Sequence, residues 1–276
     1  MDLKRSVKNF LSKRGIKVSM KQTSQITSSL GEDEVIKRYL DGLPNHTRYV
    51  VDIAAADGLW MSNTFSLFNK GYAGLALEYN SKRFAKLADW YQFFPGARLM
   101  RCKAKPNNII ELLKTAECPK NFGFLNLDVD SYDHFILDRM LTEYRPSLIC
   151  AEINERIPAP IKFTVKFDND HFWKEDNFYG QSVSKLHELA IKYDYDLVEV
   201  HYCNAFLIPK ELNKLFKALD PTFAYQVGYA NKADRKQKFP TNTEVEHLQH
   251  IPVEEAMKWL SNHFDQKYKG MYELYL

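Results

Sequence analysis

Five short, nearly continuous apolar segments, each followed by an amphipathic stretch, limit this chain's folding options more than any other feature: RYVVDIA, YAGLALEYN, ARLMRCKA, FGFLNLDVD and PSLICAEIN. A strand apolar on both sides must be covered on both faces. Strands that alternate with helices need crossovers, and right-handed crossovers build a parallel, doubly wound sheet. The covering helices are expected in SNTFSLFNKG, closed by Gly71, and in SKRFAKLADWYQFF, NNIIELLKTAE and YDHFILDRMLTEY. A further helix, SVSKLHELAIKY, leads to DLVEVHYCN and AFLIPKEL, which follow each other with almost no link. A crossover cannot fit there, so these two strands pair antiparallel. The fold class expected is α/β: a Rossmann-like sheet, mostly parallel, with a C-terminal antiparallel hairpin.

Residues 46–212 form this core, with a connection after the fifth strand, 155–180, long enough to be a lid insertion. Residues 1–45 read as an N-terminal helical extension and 213–276 as a mostly helical appendage that includes PVEEAMKWLSNHF. The extension holds GEDEVIKRYLDGL, a helix that Gly42 and Pro44 would end, and before it LKRSVKNFLSKRGIKV. There Leu3, Val7, Phe10 and Leu11 share a face apart from Lys4, Arg5, Lys8, Lys13 and Arg14. That pattern reads as a surface helix packed on the domain, with peripheral contact to an anionic membrane as the alternative. The appended ends offer surface for a homo-oligomer.

The 276 residues, 45% hydrophobic and 26% charged, can bury a core without disulfides. Cys102, Cys118, Cys150 and Cys203 are far apart with no C-x-x-C pair, as in a reduced, cytoplasmic chain. No apolar run approaches the roughly 20 residues of a transmembrane helix. A net charge of +3 implies no polyanion partner, and the basic stretch Lys232–Lys238 reads as a solvated loop, so no nucleic acid is expected.

The first apolar segment runs into VVDIAAADGLWMSNT. At the carboxyl end of a first parallel strand, a bend of small residues lets a ligand approach the backbone and the following helix amides. The G-x-G-x-x-G loop of nicotinamide enzymes is absent, because Ala54 and Ala56 leave only Gly58. Asp52 ends the first strand and Glu78 the second, and an acid at the second position can accept hydrogen bonds from both hydroxyls of a ribose.

The segments SLGEDEVIKRYL, VVDIAAADGLWMSNTFSLFNKGYAGLALEYN, FLNLDVDSYD and RPSLICAEIN resemble successive motifs of FkbM-type methyltransferases, a branch of the class I S-adenosylmethionine-dependent enzymes. FYGQSVSKLHELAIKYDYDLVEVHYCNAFLIPKEL resembles the end of the same domain, so the likeness spans roughly residues 24–212. It implies the class I fold, S-adenosylmethionine as methyl donor, and O-methylation of a sugar, polysaccharide or natural-product hydroxyl. Its cofactor residues carry over to Asp52, Asp57, Gly58, Asn63 and Glu78, with Asp128 beside them. Ala54 stands where that family usually has glycine, and its methyl group narrows the pocket floor. A nucleotide-sugar or dinucleotide-binding protein and a catalytically silent partner subunit are the rival readings.

The fourth and fifth strands end in acids: Asp128, Asp130 and Asp133, then Glu152, Asn154 and Glu155. Alternate strand residues share a face, which pairs Asp128 with Asp130 and Glu152 with Asn154. Crowded carboxylates raise each other's pKa unless a cation sits among them. Asp128, Asp130 and Glu152, with Asn154 as a fourth oxygen, therefore either hold Mg²⁺ or another divalent cation or deprotonate the acceptor unaided. His134, directly after the acids, and His171, in the insertion, are candidate bases. Aromatics Phe163, Phe167, Phe172, Trp173, Phe178 and Tyr179 alternate with polar residues around His171 and suit a lid over a small-molecule or glycan acceptor.

Overall fold

The computed structural model describes residues 27–43 and 46–276. The opening basic helix expected between Leu3 and Val18 and the stop at Pro44 lie outside the described residues. The chain first forms α1 (Glu32–Gly42), which buries Glu32, Val35, Ile36, Tyr39 and Leu40 along one stripe. Its acidic first turn, Glu32, Asp33 and Glu34, faces the positive end of the helix dipole. Asp33 also accepts the N–H groups of Thr27 and Ser28 at 2.7 and 2.9 Å, and the Thr27 hydroxyl donates to the Ser62 carbonyl at 3.0 Å. The segment before α1 is thereby tied to the bend after the first strand.

The core alternates as the apolar runs require: β1 (Tyr49–Ile53), α2 (Phe65–Asn69), β2 (Ala73–Leu77), α3 (Ser81–Tyr91), β3 (Ala97–Met100), α4 (Ile109–Thr115), β4 (Phe124–Leu127), α5 (Asp133–Leu141) and β5 (Leu148–Glu152). After an insertion containing β6 (Lys162–Val165) come α6 (Val183–Lys192), β7 (Tyr195–His201) and β8 (Asn204–Pro209). The seven-stranded sheet has the order β3-β2-β1-β4-β5-β8-β7. Its first five strands are parallel, and β8 runs antiparallel to both β5 and β7. This is the class I methyltransferase arrangement that the sequence resemblance implies. Strand order reverses between β1 and β4, and that switch point opens a crevice at the carboxyl edge.

Parity sorts the side chains. Val51, Leu75, Leu125 and Ile149 face α4, α5 and α6, while Val50, Ala76, Phe124 and Cys150 face α1, α2 and α3. Asp52 and Asn126 are paired in register and belong to the second face, with Glu78, Asp128 and Glu152 one step further toward the edge. These five polar side chains thus come from one face of one sheet.

The insertion and the C-terminal region pack as one unit. Beyond β8 lie α7 (Pro221–Tyr225), α8 (Arg235–Lys238) and α9 (Val253–Tyr268), and the chain then forms β9 (Tyr272–Tyr275), antiparallel to β6. Ile157, Ile161, Phe163, Val165 and Phe178 of the insertion share an apolar cluster with Val245, Leu248, Ala256, Leu260, Phe264 and Tyr268. Phe178 stacks on Tyr268 with centroids 3.9 Å apart. Glu155 is buried, accepting from the Tyr179 hydroxyl at 2.5 Å and from Asn242 at 2.6 Å. The region expected to be one lid over 155–180 is therefore largely a fixed wall, and after β6 residues 166–180 contain neither helix nor strand. Among the described residues no helix is long and apolar enough to cross a membrane.

Candidate active site

A cavity of about 740 Å³ opens at the switch point, within the ~300–1,000 Å³ span of small-molecule sites. Its first half is built on β1, β2 and β4. Asp52 is buried on the strand end; its two oxygens accept from the Thr64 hydroxyl at 2.5 Å and from Asn126 Nδ2 at 2.9 Å. Asn126 Oδ1 in turn accepts from Asn63 Nδ2 at 3.0 Å. Burial raises the Asp52 carboxyl to about 6, against the opposing pull of those hydrogen bonds. Both Asp52 oxygens are thus engaged by protein, so Asp52 organises the cavity floor. Asn126 is a site residue that the motif reading passed over; its signal is a lone amide in the apolar strand FLNL, two positions before Asp128.

Glu78 is buried at the end of β2; its Oε1 accepts the Asn80 N–H at 2.6 Å and the side chain lines the cavity. The bend between these acids is strained: Ala54 and Ala56 take the left-handed φ values 69 and 49. Ala54 is where glycine would have been easier, for its backbone as much as for space. Asp57 lines the cavity while its Oδ1 accepts the N–H groups of Leu59 and Trp60 at 3.1 and 2.9 Å, pinning the turn. Gly58 stands behind the wall. Its φ is 77, and a β-carbon there would meet Leu87 at 2.4 Å and Tyr91 at 2.7 Å, so glycine is needed for packing on α3.

The second half holds the acids. One carboxylate oxygen each from Asp128, Asp130 and Glu152 lie within 4.8 Å of one another. Burial, followed by the Asp130 and Asp133 charges, pushes Asp128 well above the ordinary carboxylate range, and burial with the Asp128 charge does the same to Glu152. Asp130 rises to about 6, from burial and Asp133, with Arg83 opposing. Asp130 sits at φ 57 because Asp133 accepts the Val129 and Ser131 N–H groups at 2.8 and 3.0 Å and bends the loop that carries it. Glu152 Oε2 is buried with no hydrogen-bond partner.

Two sequence expectations are corrected. Asn154 does not join the acids: β5 ends at Glu152, and Asn154 is fully buried, donating to the Asn177 and Tyr179 carbonyls at 3.0 Å each and accepting the Arg156 N–H at 3.2 Å. It fastens the insertion and is not a metal ligand. His134 does not line the cavity; on the first turn of α5 it is buried against Gln181 Oε1 at 3.1 Å, and burial lowers its pKa. His171 does line it, with Nε2 buried and unpartnered, and burial lowers its pKa as well. That imidazole is neutral at neutral pH with a nitrogen still to satisfy.

The remaining wall comes from the chain's extensions. Ser29, Leu30 and Glu32, from the motif SLGEDEVIKRYL, close one side; Lys238, from the basic stretch read as a solvated loop, and Phe239 after it close another. Around the mouth, Trp60, Tyr79 and Phe172 are 75%, 55% and 61% exposed. Large exposed rings gathered on one rim mark a binding surface.

No protein-family profile matches the sequence, and no curated protein matches it. Among solved structures the chain is similar to the N-terminal domain of EvdMO1 with SAH bound, at 10% identity over 76% of this chain and 97% of that one, TM-score 0.46. A SAM-dependent methyltransferase from Aquifex aeolicus gives 10% identity over 76% and 99%, TM-score 0.41. Magnesium protoporphyrin IX methyltransferase from Synechocystis PCC 6803 with bound SAM gives 10% over 75% and 96%, TM-score 0.39. Likeness of this degree concerns the course of the chain alone.

Proposed function

We propose that the chain is an S-adenosylmethionine-dependent O-methyltransferase acting on a hydroxyl of a sugar, polysaccharide or natural-product acceptor. The observation that carries this reading is the group of residues at the switch point: Glu78, the left-handed bend Ala54–Ala56, and Asn126, which donates to Asp52 and accepts from Asn63. That group offers a carboxylate for two ribose hydroxyls and open backbone for the amino-acid end of the donor. The cavity has room for a second molecule beside it, against the acids and the aromatic rim. The FkbM-type resemblance, carried by the quoted motifs, supports the hydroxyl acceptor; the rim of Trp60 and Phe172 suits a sugar or aromatic ring.

Methyl transfer requires the acceptor oxygen in line with the sulfonium methyl. The oxygen's lone pair forms the new C–O bond as the S–C pair returns to sulfur, and the hydroxyl proton passes to a base. Asp128 and Glu152, with pKa values held high, and neutral His171 are the groups that can take it. The unpartnered Glu152 Oε2 also favours a divalent cation held by Asp128, Asp130 and Glu152, which as an oxygen-ligated ion would lower the acceptor's pKa.

Calorimetric titration with S-adenosylmethionine tests the reading. Binding is expected, and Glu78→Ala should loosen it by about 30-fold or more, the loss of hydrogen bonds to a charged carboxylate worth ~2 kcal/mol or more. Absence of heat at millimolar donor, or equal affinity in the variant, rejects it.

A further inference from the structure

We propose that Lys103 is a positioning residue: its ammonium clamps the backbone of the insertion and so seats His171 in the cavity wall. The proposal rests on the reading of His171 as an acceptor-side base and gives that base its means of placement.

Lys103 follows β3, on the donor half of the cavity, and lines it together with Cys102 and Ala104. Its Nζ donates to the Asn169 carbonyl at 2.7 Å and makes a longer contact to the His171 carbonyl at 3.5 Å. No carboxylate lies within ion-pair distance of it among the described residues. Burial lowers its pKa and the Lys105 charge adds to the shift, with the Asp170 and Asp168 charges opposing it.

Besides this clamp, the stretch is held by ring contacts: Phe167 meets Tyr132 edge-on with centroids 4.9 Å apart, Trp173 tilts against Tyr179 at 5.4 Å, and the Lys174 ammonium lies 5.4 Å over the Tyr268 ring. Residues 167–175 contain no helix or strand. Among the described residues, the hydrogen bonds that reach this stretch from outside it, other than the turn that Trp173 closes on Asp176, come from Lys103. Asp168, Asn169 and Asp170 are exposed, as are Phe167 and Phe172, whereas His171 between them is 7% exposed. Its ring meets Phe178 and Tyr268 edge-on, with centroids at 5.6 and 6.5 Å. Those rings belong to the fixed wall, so they define the seat, and Lys103 draws the backbone on either side of His171 down onto it. Because the clamp springs from the donor half, a ligand seated against residues 102–104 would stiffen it and order the acceptor side after the donor.

The experiment compares wild type, Lys103→Met and Lys103→Arg by hydrogen exchange over 166–177 and by diethyl pyrocarbonate labelling of His171 read by peptide mass. It is run without ligand and with S-adenosylhomocysteine as the probe. In Lys103→Met, His171 should label at least tenfold faster and the stretch lose its exchange protection. Lys103→Arg, which keeps donors for the two carbonyls, should restore both to within about threefold. Unchanged labelling and exchange in Lys103→Met overturns the proposal, as does a failure of Lys103→Arg to rescue a fully folded protein. The ligand-free arm judges the clamp by itself; if wild type fails to bind S-adenosylhomocysteine while the ligand-free differences appear, the donor reading falls and the clamp stands.

Discussion

Asp130 offers a test of the acidic cluster that needs no acceptor. Its backbone lies at φ 57, a region that Asn tolerates as well as Asp, so Asp130→Asn removes the charge while keeping shape and turn. The carboxyl ionises near 6 in the folded chain against an ordinary 3.8. Below about pH 4 both folded and unfolded chains hold the proton, and the charge costs nothing. Between about 4 and 6 the unfolded chain releases its proton first, so stability falls as pH rises; above about 6 the penalty is constant. At 1.4 kcal/mol per pH unit the ceiling is ~3 kcal/mol, and partial opening to cavity water brings the expected gain on substitution to ~1–2 kcal/mol. For a chain of this size that is a rise in Tm of about 2–5 °C. Calorimetry on both proteins from pH 4 to 8 should show curves that coincide at the acid end and separate to a plateau above about pH 6. An Asp130→Asn protein no more stable than wild type at pH 8, or one offset equally at pH 4, refutes the account of a charge held at a cost. Adding millimolar Mg²⁺ or Ca²⁺ extends the test, since an ion bound to the native cluster raises the Tm of wild type and not of the variant. Equal responses would remove the metal from the proposal and leave the carboxylates to act alone.

Two further outcomes follow from the backbone and the wall. Ala54→Gly should stabilise the protein by up to ~1 kcal/mol in urea unfolding, because relief of a left-handed alanine, ~1–2 kcal/mol, exceeds glycine's extra unfolded entropy, ~0.4–1 kcal/mol; net destabilisation would mean that the methyl group packs usefully. Deleting residues 271–276 removes β9 and takes from the nearly buried Lys185 its contacts to Glu273 and Tyr275, leaving Glu188 at 3.3 Å. A loss of roughly 3 kcal/mol is expected, with donor affinity kept within about threefold; a larger loss of donor affinity would contradict the placing of β9 in the wall and not in the donor site.

Much of the architecture is legible because buried parallel strands announce themselves as apolar runs, and the missing crossover between Val200 and Ala205 leaves only an antiparallel pairing. The site was legible as far as strand periodicity reaches. Parity puts Asp128 on the face of Asp52, and extended one strand over it would have found Asn126, whose amide joins Asp52 to Asn63. Parity fails at Asn154 for a definite reason: alternation holds only while the chain is a strand, and β5 stops at Glu152. His134 was misplaced because adjacency in sequence says nothing about which side of a helix turns inward. Neither the contact of Lys103 with Asn169 nor the pairing of β6 with β9 leaves a local trace, since each joins residues far apart in the chain.

What sequence rules could not place nonetheless gathers in one spot. Among the described residues, five of the eight non-glycine positions with left-handed φ, namely Ala54, Ala56, Met61, Asp130 and Glu175, line the cavity at the switch point. The same cavity holds carboxyls pushed upward by burial and by each other, and the unpartnered Glu152 Oε2 and His171 Nε2. Each is a local cost, of order 1–3 kcal/mol for a strained backbone or an unsatisfied buried group. A fold assembled only for stability would have dispersed or removed them. Their concentration where a small-residue bend, the buried Glu78 carboxylate and an aromatic rim converge is explained if an occupant completes what the protein leaves open: a cation-bearing donor beside Glu78 and a hydroxyl acceptor between the acids and His171.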